Sequence, residues 1–211
     1  MNHRPPPMFI ADALGLDFLN SVATPVDTVI DWIDSGDGLL DWLDRAGIVP
    51  GDVLAALRTQ ALPGELDNVA DQARSLREWF RGFVRDRMGR PLTARDLRKL
   101  EPLNRLLERD EAFSQLVPNR GGDGRSLALQ VRRRWRSPDS LLLPIGEALA
   151  QFVSTADFAH VKACEGQACT LMFVDHTRGR ARRWCSMAAC GNRAKQAAYR
   201  NRLKTQHQPR S

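Results

Sequence analysis

The chain has 211 residues, 43% of them hydrophobic, and a formal net charge of +6. That is enough apolar content to build a core, so disorder of the whole chain is excluded. No apolar run approaches the roughly 18 residues of a membrane span, and the opening MNHRPPPMFI lacks the blocks of a secretory signal. A cytosolic chain with reduced thiols is therefore expected.

The charge is uneven. Residues 160–211 carry eleven Lys and Arg against Glu165 and Asp175, whereas residues 1–159 carry 20 against 23. A faintly acidic body and a strongly basic end point to a polyanionic partner at that end.

After the proline-rich lead, Ala11 to Asn20 reads as a short helix. Leu39, Leu40, Trp42, Leu43 and Ala46 keep helical spacing and Gly47 supplies a stop; Asp52 reads as the N-cap of Val53 to Leu62. The clearest helix spans Glu65 to Met88, with Val69, Ala73, Leu76, Phe80, Phe83 and Val84 on one face and Asp71, Arg74, Arg81 and Arg85 on the other. Thr93 caps a following leucine-striped helix that Pro102 should kink or interrupt. Phe113 to Val117 and Ser126 to Trp135 alternate around Asn119-Arg120-Gly121-Gly122-Asp123-Gly124 and read as a β-hairpin, with Leu127, Leu129 and Val131 pointing one way. Arg132, Arg133, Arg134 and Arg136 read as an exposed edge and a solvated face. Ser137 followed by Pro138 opens a helix through Leu142, Ile145, Leu149 and Phe152 to about Thr155. The short join near Thr155 to Ala159 implies that the two parts pack together.

All the cysteines lie beyond that join. Cys164 and Cys169 are separated by four residues, Cys185 and Cys190 likewise, with fifteen between the pairs. Two such pairs give four soft thiolates for one tetrahedral Zn²⁺, and a piece this small needs the metal to fold. Four sulfurs fill the coordination sphere, so the ion is structural. Gly166, Ala168, Ala188 and Ala189 suit tight turns, and His160 and His176 read as surface or turn residues. Thr170 to Val174 and Ala181 to Trp184 read as two strands, and Asn192 to Lys204 as a helix, with Cys190 at or just before its first turn. The fold class is therefore α+β: a mainly helical N-terminal domain with a small antiparallel hairpin, followed by a treble-clef-like zinc finger. The domains fall at 8–156 and 157–205, with flexible tails at 1–7 and 206–211.

Arg182, Arg183, Arg193, Lys195, Arg200, Arg202 and Lys204 form the expected nucleic-acid face, in a segment almost free of acids. Arg193, Arg200 and Lys204 share a helix face, and Trp184 and Tyr199 add stacking groups.

Arg182-Arg183-Trp184-Cys185-Ser186-Met187, then Cys190-Gly191-Asn192-Arg193, resemble the CGNR zinc-finger family. Cys164, Cys169 and Phe173-Val174-Asp175 fit its pattern too. Leu16-Asp17-Phe18-Leu19-Asn20-Ser21 resembles the start of the α/β domain, called ABATE, that accompanies this finger in bacteria, with Asn-Ser where Asn-Thr is common. The resemblance implies a stress-induced transcription regulator: a DNA-binding finger with its zinc on the four cysteines, and a sensor domain for a small-molecule effector. Gly191 would then permit a tight turn, Asn192 cap the helix, and Arg193 reach a phosphate or brace the knuckle. Asp17, Asn20 and Trp42 are the candidate effector pocket, weighed against Asp17 and Asn20 as plain helix caps. No catalytic triad or phosphate-cradling loop is found, so the chain reads as no enzyme. The alternatives are a protein-interaction module, and an HNH-like nuclease in which Asp175-His176 activates water.

Overall fold

The computed structural model describes residues 5–24, 28–119 and 126–206, with backbone only at 201 and 203–206. The tip of the predicted hairpin, from Arg120 to Arg125, and the side chain of Lys204 lie outside the described residues.

Helix α1 (Leu14–Leu19), the two-residue strands β1 (Val22–Ala23) and β2 (Ile30–Asp31), α2 (Gly36–Ala46), α3 (Gly51–Gln60) and α4 (Glu65–Arg87) come first. A 3₁₀ turn (Ala94–Leu100) leads into α5 (Glu101–Leu107), followed by β3 (Ala112–Pro118) and β4 (Leu127–Arg133). A second 3₁₀ turn (Pro138–Leu141) opens α6 (Leu142–Thr155). The last part holds β5 (Val161–Ala163), β6 (Met172–Val174), a π turn (Met187–Gly191) and α7 (Asn192–Gln206). The three sheets are antiparallel pairs: β1 with β2, β3 with β4, and β5 with β6.

Local signals act as read in several places. Gly47 ends α2 as read, with φ +67°, a left-handed value that glycine adopts freely, and the start of the helix, which sequence left unassigned, is capped by Ser35 accepting from Gly38 N. Thr93 forms a capping box with Asp96, and Pro102 sits in the first turn of α5, where its missing N–H costs nothing. Asp52 lies inside the first turn of α3 instead of capping it, because the helix already starts at Gly51 after Pro50.

The body is built on α4, which packs against α1, α2 and α6, with α5 on the outer side of α6. Phe80, Phe83, Phe152 and Phe158 cluster in its centre, Phe80 stacked on Phe83 and edge-on to Phe152; Phe152 and Phe158 lie 5.0 Å apart. Arg81 is buried, against its assignment to the solvent face, and so is Arg77. Arg77 grips Asp31 at 2.8 and 2.6 Å and donates to Ser21 Oγ at 2.9 Å, while Arg81 donates to the Leu19 carbonyl and to Glu78. The end of α1 and strand β2 thus approach a face of α4 that periodicity alone assigns to water. Burial opposes ionisation of Asp31, but Arg77 outweighs it and holds the carboxyl below its ordinary range.

One continuous apolar core runs from the body into the last part of the chain, taking in Val161, Leu171, Met172, Phe173 and Val174. The two parts are packed together, as the short join implies. Pro5, placed in the N-terminal tail by sequence, is held by Trp32 Nε1, which donates to its carbonyl at 2.7 Å.

Candidate metal centre

Strands β5 and β6 form a hairpin, and the first cysteine pair sits in the turn between them: Cys164 follows β5, and Cys169 precedes β6. The predicted partner strand Ala181 to Trp184 does not form; that segment is an irregular loop whose organiser is Asp175. Asp175 is fully buried. It accepts from Lys162 Nζ at 2.7 Å, from Thr177 N and Oγ1 at 2.9 and 2.6 Å, and from Arg182 N at 3.0 Å. Burial raises its pKa, but these donors outweigh that and hold the carboxyl well below its usual value.

Cys185 and Cys190 flank the start of the final helix. Ser186 is its cap, accepting from Ala189 N at 2.9 Å, so the role expected of Asn192 belongs to Ser186, and Asn192 already has helical backbone angles. Gly191 shows no positive φ; its use is space, since a Cβ there would lie 2.6 Å from Met187 Sδ.

The four sulfurs lie within 4.8 Å of one another, with Cys185 to Cys190 at 3.6 Å and Cys169 to Cys185 at 4.0 Å. A tetrahedron with Zn–S bonds of about 2.3 Å has edges of roughly 3.8 Å, so the donor set fits one zinc ion. None of the cysteines is in a disulfide. Cys169 and Cys185 compete for negative charge. Donation from Cys185 lowers Cys169 to a pKa of about 5, and that same bond together with burial drives Cys185 far upward. A divalent ion removes the conflict by letting all four ionise.

Donors surround the sulfurs. Cys185 N and Gly166 N point at Cys164 Sγ at 3.2 and 3.4 Å, and Arg193 Nη2 donates to Cys190 Sγ at 3.2 Å while its Nε bonds Ala189 O at 2.7 Å. Gly166 is required by proximity, because a Cβ would lie 2.8 Å from Cys190 Sγ. Ala168 takes φ +61° in the same turn.

The predicted nucleic-acid residues divide into two groups. Arg182 lies over the Phe173 ring at 4.1 Å and donates to Asp12 and to the carbonyls of Ile10, Trp184 and Cys185. Arg183 pairs with Glu165 at 2.6 Å, and Arg193 is turned back on Cys190. Lys195, Arg200 and Arg202 are exposed on α7, as is Tyr199. A groove of about 440 Å³ runs between the first cysteine turn and α7, lined by Gln167, Arg193, Gln196 and Arg200 among others.

The candidate pocket residues are placed inside the protein. Asp17 accepts from the N–H groups of Ile10 and Ala11 at 2.9 and 3.0 Å. Asn20 bonds both backbone groups of Met172: Nδ2 donates to its carbonyl at 2.8 Å and Oδ1 accepts its N–H at 3.0 Å. Trp42 packs edge-on against Phe18 at 5.6 Å. With Val174 N donating to Ala11 O at 3.0 Å, the body closes the free edge of β6 much as a neighbouring strand would. Sequence reasoning missed this junction. A separate cleft of about 550 Å³ lies between α1 and α6, with apolar walls from Leu14, Ile48, Pro144, Ala148 and Phe152.

Two family models match the chain: ABATE, described as "Putative stress-induced transcription regulator", over residues 12–156, and the CGNR zinc finger over residues 160–203. No curated protein matches it. No helix among the described residues is long and apolar enough to cross a membrane.

Proposed function

The chain belongs to the ABATE family and ends in a CGNR zinc finger, and from that premise we propose that it is a cytoplasmic DNA-binding regulator whose zinc site holds α7 against duplex phosphates. The observation that carries this reading is the division of the basic residues. Arg182, Arg183 and Arg193 are spent on the fold of the finger, whereas Lys195, Arg200 and Arg202 stand exposed on a helix with no acidic residue between 192 and 206. An ordinary solvated helix mixes both signs. Lys195, Tyr199 and Arg202 recur at steps of four and three, so they share one face, which combines charge with a stacking ring.

The zinc acts here as scaffold. Its four thiolates leave no site for water, and the ion would fix the start of α7 through Cys185 and Cys190. Asp175 is consumed by the loop it organises and His176 is exposed, which favours a non-enzymatic reading over the HNH-like one. An effector, as expected for a sensing domain, would enter the cleft between α1 and α6, since Asp17 and Asn20 are already bonded.

The test is fluorescence anisotropy of the zinc-loaded protein with short duplexes across a salt series. With Lys195, Arg200, Arg202 and Lys204 on phosphates, α7 contributes roughly −4 to the slope of log Kobs against log salt. Lys195→Gln with Arg200→Gln removes about 1.8 from that slope. Undetectable or salt-independent association removes the reading.

A further inference from the structure

The β3–β4 ribbon differs in charge from the body it grows out of. Residues 112–136 hold six arginines and one aspartate, while the rest of residues 1–159 holds 14 basic against 22 acidic residues. The structure describes four of these arginines and sorts them by job. Arg133 is bidentate on Asp110 at 2.7 and 2.6 Å and reaches Glu147 at 2.9 Å, and Arg136 pairs with Glu111 at 2.7 Å. Both fasten the root of the ribbon to the body. Arg132 and Arg134 have no carboxylate partner among the described residues. Arg132 makes only 3.4 Å contacts with Gln130, and Arg134 lies over the Phe113 ring at 5.3 Å.

Register places these two on the same side. Phe113 pairs with Arg132 and Gln115 with Gln130, so Gln115, Gln130, Arg132 and Arg134 share one face of the ribbon. Leu116, Leu127, Leu129 and Val131 occupy the opposite face, each 65–70% exposed. A solvated strand would scatter its charges over both faces. Among the described residues the uncompensated positive charge lies on one face, beside two amides that donate and accept. A two-stranded ribbon is narrow enough to enter a major groove, and guanidinium and amide groups contact phosphates and base edges.

We propose that the Gln115, Gln130, Arg132 and Arg134 face of the β3–β4 ribbon is a second duplex-DNA contact, distinct from α7. It rests on the DNA-binding reading of the chain, and the experiment separates the two. Arg132→Gln with Arg134→Gln, and separately Lys195→Gln with Arg200→Gln, are compared with wild type in the full zinc-loaded chain by anisotropy over the same salt series. The ribbon pair should lower the salt slope by about 1.8 and weaken binding on the order of tenfold at low salt, equally over unrelated sequences. Gln115→Glu with Gln130→Glu, which keeps the Arg134–Phe113 stack and adds repulsion on that face, should weaken it as well. A wild-type slope in both ribbon variants, with a reduced slope in the α7 variant, overturns the ribbon contact and leaves the α7 reading standing. Absence of duplex binding by the wild type overturns both.

Discussion

Replacing Asn20 by leucine should uncouple the finger from the body at a predictable cost. The amide makes two buried hydrogen bonds, at 2.8 and 3.0 Å, to the carbonyl and N–H of Met172 on the outer edge of β6. Leucine matches the branching of the amide but is bulkier and cannot pair, so some overpacking adds to the loss at this buried site. What is lost is the pairing of two buried backbone groups, and each unsatisfied buried group costs about 1–3 kcal/mol. The sum is roughly 2–6 kcal/mol, a large share of the stability of a domain this size. Urea unfolding of the zinc-loaded protein, followed by circular dichroism and tryptophan fluorescence, reads the loss as a lower midpoint. Capture of zinc by a chromogenic chelator should quicken in parallel, since Met172 lies three residues beyond Cys169. Asn20→Asp should do worse at neutral pH than Asn20→Ala, because a carboxylate would face the Met172 carbonyl. A stability loss under about 0.5 kcal/mol with unchanged zinc release would refute the view of Asn20 as the closure of the β6 edge.

Gly166→Ala should weaken zinc binding at least tenfold in competition with a chelator, because the added methyl would stand 2.8 Å from Cys190 Sγ. Arg77→Leu should cost about 3–5 kcal/mol by leaving Asp31 without its bidentate partner, and Arg77→Leu with Asp31→Leu should recover part of that in a double-mutant cycle. Burial raises Asp17 to a pKa of about 6 against the opposing pull of the Ala11 and Ile10 N–H groups. The folded state therefore holds that proton more tightly than the unfolded chain. The associated stability is fully present below about pH 4, and it falls as pH rises through about 6. The loss amounts to about 3 kcal/mol. Asp17→Asn should flatten this part of the stability profile relative to wild type, and an unaltered profile would refute the assignment.

The metal centre was legible because ligand spacing is local: each cysteine pair brackets four residues, and the thiolates declare their own chemistry. Helix ends at Gly47, Thr93 and Ser137 were legible for the same reason. The junction was not. Asn20 and Met172 are 152 positions apart, and a polar residue ending a short apolar run looks alike whether it caps its own helix or pairs with a distant strand. Charge was legible as a sum but not as a direction. Arg182 and Arg193 carry the same sign as Arg200, yet they turn inward because Asp12, the Ile10 carbonyl and a sulfur of the metal site come within reach only after folding. Periodicity placed Arg81 on the outer face of α4, since nothing in that segment announces the Leu19 carbonyl that it meets.

Arg182 links the finger to the body mechanically. Its guanidinium holds the carbonyl of Cys185, a metal ligand, and the carbonyl of Ile10, whose own N–H is fixed by Asp17. Asp17 also holds Ala11, and Ala11 accepts from Val174 on β6. The second cysteine pair, the N-terminal segment and the edge of β6 therefore share partners, and hydrogen bonds sharing partners in a buried site strengthen or fail together. Metal binding is folding free energy in a site of this size, so zinc binding contributes to the docking of the body as well as to the placement of α7. Bound zinc would then hold the start of α7, through Cys185 and Cys190, to the same finger that Arg182 fastens to the body.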